Sequence, residues 1–363
     1  MRVLYVGMEH DYGDPSRGLS HEHCNLYESL VGMGLDVVHF DYAVLLRELG
    51  RDAMNARLVD AARVCDPDVV LTVMFRDELD PAVLKRLSRS GVAPTVNWFS
   101  DDHWRFERYT AGYAKSFNYC VTTASSAVEK YRRLGQPGVI KSQWACNHFR
   151  YRPVETPLEY DVSFVGQNYG DRGEVIAALR DAGFGVSCFG LGWEAGRVSP
   201  EEMIRVFCAS KINLNLNNAS RAPRLTSGER WARRGRRVGR AFGLVGPEKP
   251  VVLPQQIKGR NFEPPGCDAF MVTGDADNLS DYYEPGAEAV VYRSTAELIE
   301  LVGRYLDDDE GRRAIARRAY ERTLREHTYA HRFHDIFTRM GVSMPSVEAV
   351  VAGGAGRVEA VEA

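Results

Sequence analysis

An α/β chain of two Rossmann-like domains, with parallel sheets facing across a cleft, is the architecture this sequence predicts. Three observations predict it. Short β-branched runs alternate with amphipathic helical stretches from the amino terminus to about residue 134. The alternation restarts at Tyr160 with a new first strand. Between the two runs, Arg-Pro, Thr-Pro and polar residues break the pattern over 150–158. Strands that alternate with helices form a parallel sheet covered on both faces. The expected divisions are a first Rossmann-like domain at 1–153, a second at 154–330, and a carboxyl-terminal segment with a disordered tail at 331–363.

The first domain's strands are expected at 3–7, 37–40, 68–73, 95–99 and 119–122. Its helices are expected at 21–34, 81–90 and 125–134, the first ending at a glycine. The second domain's strands are expected at 160–166, 185–190, 212–216, 269–273 and 288–292. Its helices are expected at 173–182, 199–209, 295–306 and 310–327. Ser199-Pro-Glu-Glu has the cap, proline, acid order of a helix start.

Bulk properties exclude several classes. The 363 residues, 44% apolar and 26% charged, suffice for two packed cores. A net charge of −3 gives no global basic field for nucleic acid. The seven cysteines form no Cys-x-x-Cys pair and are expected as buried free thiols in a reducing compartment. No apolar run reaches the roughly 18 residues of a membrane span, and the first residues form a strand, not a signal peptide. A cytoplasmic protein without an integral membrane segment is expected. Eight arginines between 221 and 240 interrupt the pattern within 219–256. That stretch reads as a solvated mobile insertion, as a loop over an anionic ligand, or as a nucleic-acid contact.

The segment Lys258-Gly-Arg-Asn-Phe-Glu263-Pro-Pro-Gly266 carries the most chemistry. Cations suit a phosphate, and arginine's fork suits phosphate oxygens in particular. A carboxylate suits the vicinal diol of a ribose, each charge-assisted bond contributing roughly 1.5–3 kcal/mol. Lys258, Arg260 and Glu263 together therefore suit a nucleotide-sugar, with Glu263 placed near a cleft rim. Gly166 ends the second domain's first strand, and Arg172 follows where a helix begins, a favourable place for an anion. In the first domain, Gly18 lies in a long polar loop. His21 and His23 open the next helix, where a lowered pKa would make a neutral base. Asp101 and Asp102 follow a strand's carboxyl end and suit hydroxyl binding, base catalysis or a helix cap. Trp98, Trp104 and Trp144 are candidates for sugar stacking or for core.

With these residues in view, the second half resembles family-4-like glycosyltransferases of the GT-B fold, and in particular the CgeB-type, spore-maturation-like enzymes. The resemblance rests on Lys258-Gly-Arg-x-Phe-Glu263, the Gly266 turn, Tyr283-Glu-Pro-Gly-Ala-Glu288, Tyr292-Arg-Ser-Thr-Ala-Glu297 and Glu326-His-Thr-Tyr-Ala-His-Arg332. It implies that the first domain, 1–153, is the acceptor side and the second, 154–330, binds the nucleotide-sugar, with Glu263 holding the donor's ribose. It also implies that Arg172 with Lys258 or Arg260 holds the diphosphate, and that the Gly18 loop approaches the phosphates. It implies no cofactor or metal, a UDP-, GDP- or TDP-linked donor, an unspecified glycan or small-molecule acceptor, and a slight lean towards retention. One position departs: the family's second glutamate, eight residues before Glu263, is Gln255 here. A nucleotide-sugar epimerase or hydrolase on the same fold, and a non-catalytic binding protein, are the alternatives.

Overall fold

The computed structural model describes residues 1–217 and 255–344, with Ser346, Val347 and Val350 beyond them. The arginine-rich stretch falls almost wholly outside the described residues, as does the end of the expected tail.

Two fully parallel sheets organise the chain. The first has six strands in the order β2-β1-β3-β4-β5-β6. They are β1 Arg2–Val6, β2 Asp36–Phe40, β3 Val69–Thr72, β4 Thr95–Phe99, β5 Tyr119–Thr122 and β6 Val139–Lys141. Central strands buried on both faces read as continuous apolar runs, and β1 and β3 do so. The second sheet has five strands in the order β11-β10-β9-β7-β8. These are β7 Tyr160–Val165, β8 Val186–Phe189, β9 Ser210–Asn215, β10 Met271–Gly274 and β11 Val290–Tyr292.

All ten expected strands are present, with edges shifted by a few residues, and β6 is an addition. Three further helices of eight residues or more, Tyr42–Leu49, Arg51–Cys65 and Tyr329–Arg339, lie outside the expected ones. The seven cysteines are all free, five of them buried. No described helix is long and apolar enough to cross a membrane.

The helix Tyr329–Arg339 returns from the second half to the first. Tyr329, Ala330, Phe333, Ile336 and Phe337 are its buried residues, a spacing that makes one apolar stripe. Trp98 of β4 meets the rings of Tyr329 and Phe333 at 6.4 and 6.3 Å. Arg332 donates to the carbonyls of Gln143 and Trp144. A buried side chain of this size contributes roughly 1.5–3 kcal/mol. The helix therefore fastens the two halves together, and the segment begun at 331 is part of the first half's core.

Two further ties cross between the halves: Arg150, gripped by Glu28 at 2.7 and 2.6 Å within the first half, reaches Glu201 at 2.7 Å, and Arg197 donates to Asp11 at 2.9 Å. These contacts hold the carboxyl ends of the two sheets towards one another.

Candidate functional site

A cavity of about 500 Å³ opens where the carboxyl ends of β1, β3 and β4 face the loop after β7. From the first half, Asp11, Tyr12, His21, Glu22, Asp101 and Trp104 are among the residues that line it; Gln167 and Tyr169 do so from the second. Open parallel sheets bind ligands at this end of their strands. A shallower depression at the amino ends of β4 and β5, lined by Ser88, Val92, Asn118 and Pro137, holds no charged side chain.

Local sequence sets the first wall. Ser20 is buried, donates to the carbonyl of Met8 and accepts the His23 N–H at 3.0 Å. It thus caps a helical stretch whose first turn carries His21 and Glu22. The next turn, His23–Tyr27, is π-helical, a distortion common at functional sites. Asn25, fully buried on that turn, donates to the His21 carbonyl at 3.0 Å and to Glu263 Oε1 at 3.4 Å.

Glu263 departs from expectation. It lies at the first position of a short helix, Glu263–Gly266, and is fully buried rather than on a rim. Oε2 pairs with Arg260, and Oε1 faces Asn25 and His21 Nδ1, the latter at 3.5 Å. The carboxylate is therefore a joint between the halves. Gly259 allows the approach: a Cβ there would stand 2.5 Å from His21 Cε1. Burial, helped by Arg260, pushes the His21 imidazole down to about 3, so it is neutral at physiological pH.

Three cations of the second half form one electrostatic cluster. Arg172 opens the helix Arg172–Asp181, donates to the carbonyls of Gln167 and Leu216 at 3.0 and 2.9 Å, and stacks on Tyr169 at 4.0 Å. Arg260 donates to the carbonyl of Val165 as well as to Glu263. Burial lowers all three pKa values, Lys258 to about 8, and the charge of Arg172 lowers both Lys258 and Arg260 further. A buried cation held by two carbonyls beside other cations, as Arg172 is, favours an incoming anion.

The remaining predicted residues separate. Asp101 lines the cavity and accepts from the Gln256 amide at 3.2 Å. Asp102 does not reach the cleft: it is buried, accepting from Thr110 at 2.6 Å and Tyr131 at 2.8 Å. A helix turn begins at Asp102 and swings its side chain inward. Gly18 is exposed with φ +75°, and its carbonyl accepts the Asp11 N–H, so it lies off the cavity wall. The carbonyl of Gly166 accepts from the Trp193 indole. His23 is buried, stacked on Tyr27 at 4.5 Å, and pushed down to about 4 by burial. Trp98 and Trp144 are core; Trp104 is a cavity residue.

Two features escaped sequence reading. Glu22 lines the cavity, and burial, with Asp11 and Asp101 adding to it, pushes its carboxyl up to about 7. Asn217 and Asn261 both donate to Thr273 Oγ1, at 3.0 Å each, in a buried network beneath the Lys258 segment. Gln256, not Gln255, is the buried amide that reaches the first half. No group of three His, Cys, Asp or Glu among the described residues could hold a metal ion.

The second half's sequence has relatives. Residues 172–338 match a family model described as Glycosyl transferase-like. HepE from Anabaena in complex with UDP superposes with a TM-score of 0.57 at 12% identity, over 98% of each chain. Its complex with UDP-glucose gives 0.57 at 11%, again over 98% of each. Sucrose-phosphate synthase from Thermosynechococcus elongatus gives 0.58 at 10%, over 94% of this chain and 97% of its own. The fold is GT-B. Within the GT-B frame the cavity is the interdomain cleft, and Gln167 and Tyr169, which bound its second side, lie just before the matched residues. No curated protein matches the chain.

Proposed function

We propose that this protein is a glycosyltransferase that moves a sugar from a nucleotide-sugar to an acceptor hydroxyl. One observation carries the reading. Arg172 stands at the carboxyl end of the second sheet, held by the carbonyls of Gln167 and Leu216, and its charge reaches both Lys258 and Arg260, the latter paired with Glu263. A diphosphate would relieve the repulsion between these charges, and fixed positive charge would stabilise the leaving group as the glycosidic bond breaks. The family match and the UDP-bound relative support the same reading.

Each residue then has a task. Arg172 and Lys258 hold the diphosphate without a metal, and Arg260 keeps Glu263 charged. Glu263 accepts the ribose hydroxyls in place of its contacts with His21 and Asn25. The acceptor lies against Tyr12, Asp101 and Trp104. Closure around both substrates excludes water and limits hydrolysis. We read the setting as natural-product or cell-surface glycan glycosylation and the donor as UDP-, GDP- or TDP-linked, with retention of configuration.

The test is incubation with UDP-, GDP- and TDP-sugars, with and without a panel of hydroxylated acceptors. Transfer that requires acceptor supports the proposal. Epimer or free sugar from donor alone, with no transfer, would move the chain to the epimerase or hydrolase class.

A further inference from the structure

Two of the free thiols meet beside the connector between the halves. Cys208 closes the helix Pro200–Cys208, and Cys267 follows the short helix Glu263–Gly266. The Cys208 thiol donates to the Cys267 carbonyl at 3.8 Å and accepts the Val154 N–H at 3.4 Å. The two side chains hydrogen-bond to each other, and the Arg152 N–H reaches the Cys267 sulfur. Residues 152–154 are exposed and belong to no helix or strand. Two N–H groups of this connector, two residues apart, therefore hold one sulfur each.

No other cysteine has this setting. Cys24, Cys120, Cys146 and Cys188 are buried, and burial raises all four thiols. Cys146 packs on Gly266, where a Cβ would stand 2.3 Å from its sulfur. Cys65 is half-buried like Cys208, but burial raises it too, and no second thiol acts on it.

We infer that Cys208 and Cys267 are a redox modification site, a dithiol that a low-molecular-weight disulfide converts to an internal disulfide. The Cys208 thiolate attacks one sulfur of the incoming disulfide. That sulfur–sulfur bond breaks, and one small thiolate leaves and takes up the proton that Cys208 released. The Cys267 sulfur gives its proton to water and attacks the Cys208 sulfur of the mixed disulfide. The second small thiolate leaves and takes a proton from water. Two protein thiols lose two electrons in all, and one small disulfide is reduced to two thiols.

The surroundings order these steps. Cys208 is half-buried and meets the reagent first; Cys267 is 2% exposed and resolves the mixed disulfide from within. The hydrogen bond from Cys267, helped by the Val154 N–H, brings the Cys208 thiol down to about 7, against burial and the charge of Asp268. Asp268 is itself paired with Arg317 at 2.6 Å. Burial raises Cys267, so it stays a thiol until Cys208 has reacted. The new bond ties the end of the helix Pro200–Cys208 to the turn that follows Glu263.

The test is incubation of the whole chain with oxidised glutathione at pH 7, then alkylation and peptide mass spectrometry, on wild type, Cys208→Ser and Cys267→Ser. In wild type two of the seven thiols should disappear together, as a Cys208–Cys267 disulfide that dithiothreitol reverses. Cys267→Ser should stop at a glutathione mixed disulfide on Cys208, and Cys208→Ser should keep Cys267 as a thiol. Cys208 should react about tenfold faster than Cys65, its larger thiolate fraction being partly offset by lower nucleophilicity. That comparison is made within wild type and needs no variant to fold. All seven thiols left intact, a lasting mixed disulfide on wild-type Cys208, pairing of Cys208 with Cys146, or Cys208 no faster than Cys65 would each overturn the site.

Discussion

Nδ1 of His21 stands 3.5 Å from Oε1 of Glu263, and the two residues come from opposite halves of the chain. The imidazole is neutral, so the contact is not an ion pair. Glu263 draws its charge balance from Arg260, with the Asn25 amide bridging to the first half. A buried carboxylate shared in this way ties domain closure to whatever displaces His21.

The first prediction concerns that joint. Glu263→Gln leaves Arg260 without its carboxylate and should cost about 3 kcal/mol in chemical denaturation. It should also weaken UDP binding by at least tenfold. Lost stability with unchanged UDP affinity would make Glu263 a strut alone and remove it from the ribose.

Arg172 gives a second prediction. Arg172→Leu removes a cation held by two carbonyls and should weaken UDP binding at least tenfold, about 1.4 kcal/mol. Uridine, which lacks the diphosphate, should bind wild type and variant alike. Equal loss for uridine and UDP would assign Arg172 to shaping the loop after β7.

The paired aspartates should behave differently. Asp102→Asn disturbs bonds to Thr110 and Tyr131 and should cost about 1–3 kcal/mol in stability while leaving UDP affinity intact. Asp101→Asn should leave stability within about 0.5 kcal/mol and raise the acceptor KM. Urea denaturation and acceptor kinetics on the two variants check the contrast.

Stability should fall as the solution is acidified below about pH 6.5. Burial lowers His21 and His327 to about 3, and His23, His103 and His148 to about 4. Between these values and 6.5 the unfolded chain binds protons that the folded chain refuses, so stability rises with pH across that window. Glu22 opposes this, because its raised value makes the folded chain the better proton binder between about 4.5 and 7, and Asp102 and Asp268, also raised by burial, act in the same direction. Five histidines outweigh three carboxyls. Urea midpoints should therefore be lower at pH 5 than at pH 7, and His327→Gln should reduce the difference. A midpoint that climbs on acidification would contradict the buried neutral state.

How much of this was legible in the sequence depends on the range of the interaction. The strands were legible because β1, β3 and β4 are buried on both faces and keep an unbroken apolar run. The Lys258 segment was legible because charge and glycine stand together in a few residues. The burial of Glu263 was not, since its partners His21 and Asn25 lie more than two hundred residues away in the chain. Gly259 was the available signal: a glycine between two cations marks a close approach, and its partner is His21. Asp101 and Asp102 are adjacent and chemically identical, and only the helix turn after β4 sends one outward and the other inward. Glu22 carries no signal of its own in the sequence, because its raised proton affinity arises from burial in the fold, with Asp11 and Asp101 brought alongside.

The most direct measurement of the central claim is calorimetric titration of the whole chain with UDP, GDP and TDP, repeated on Arg172→Leu and Lys258→Ala. One of the three should bind wild type at a single site, stabilise it by roughly 2.7 kcal/mol at 100 times its dissociation constant, and bind each variant at least tenfold more weakly. No binding of any of the three, or binding that ignores both substitutions, would contradict a diphosphate held by these cations.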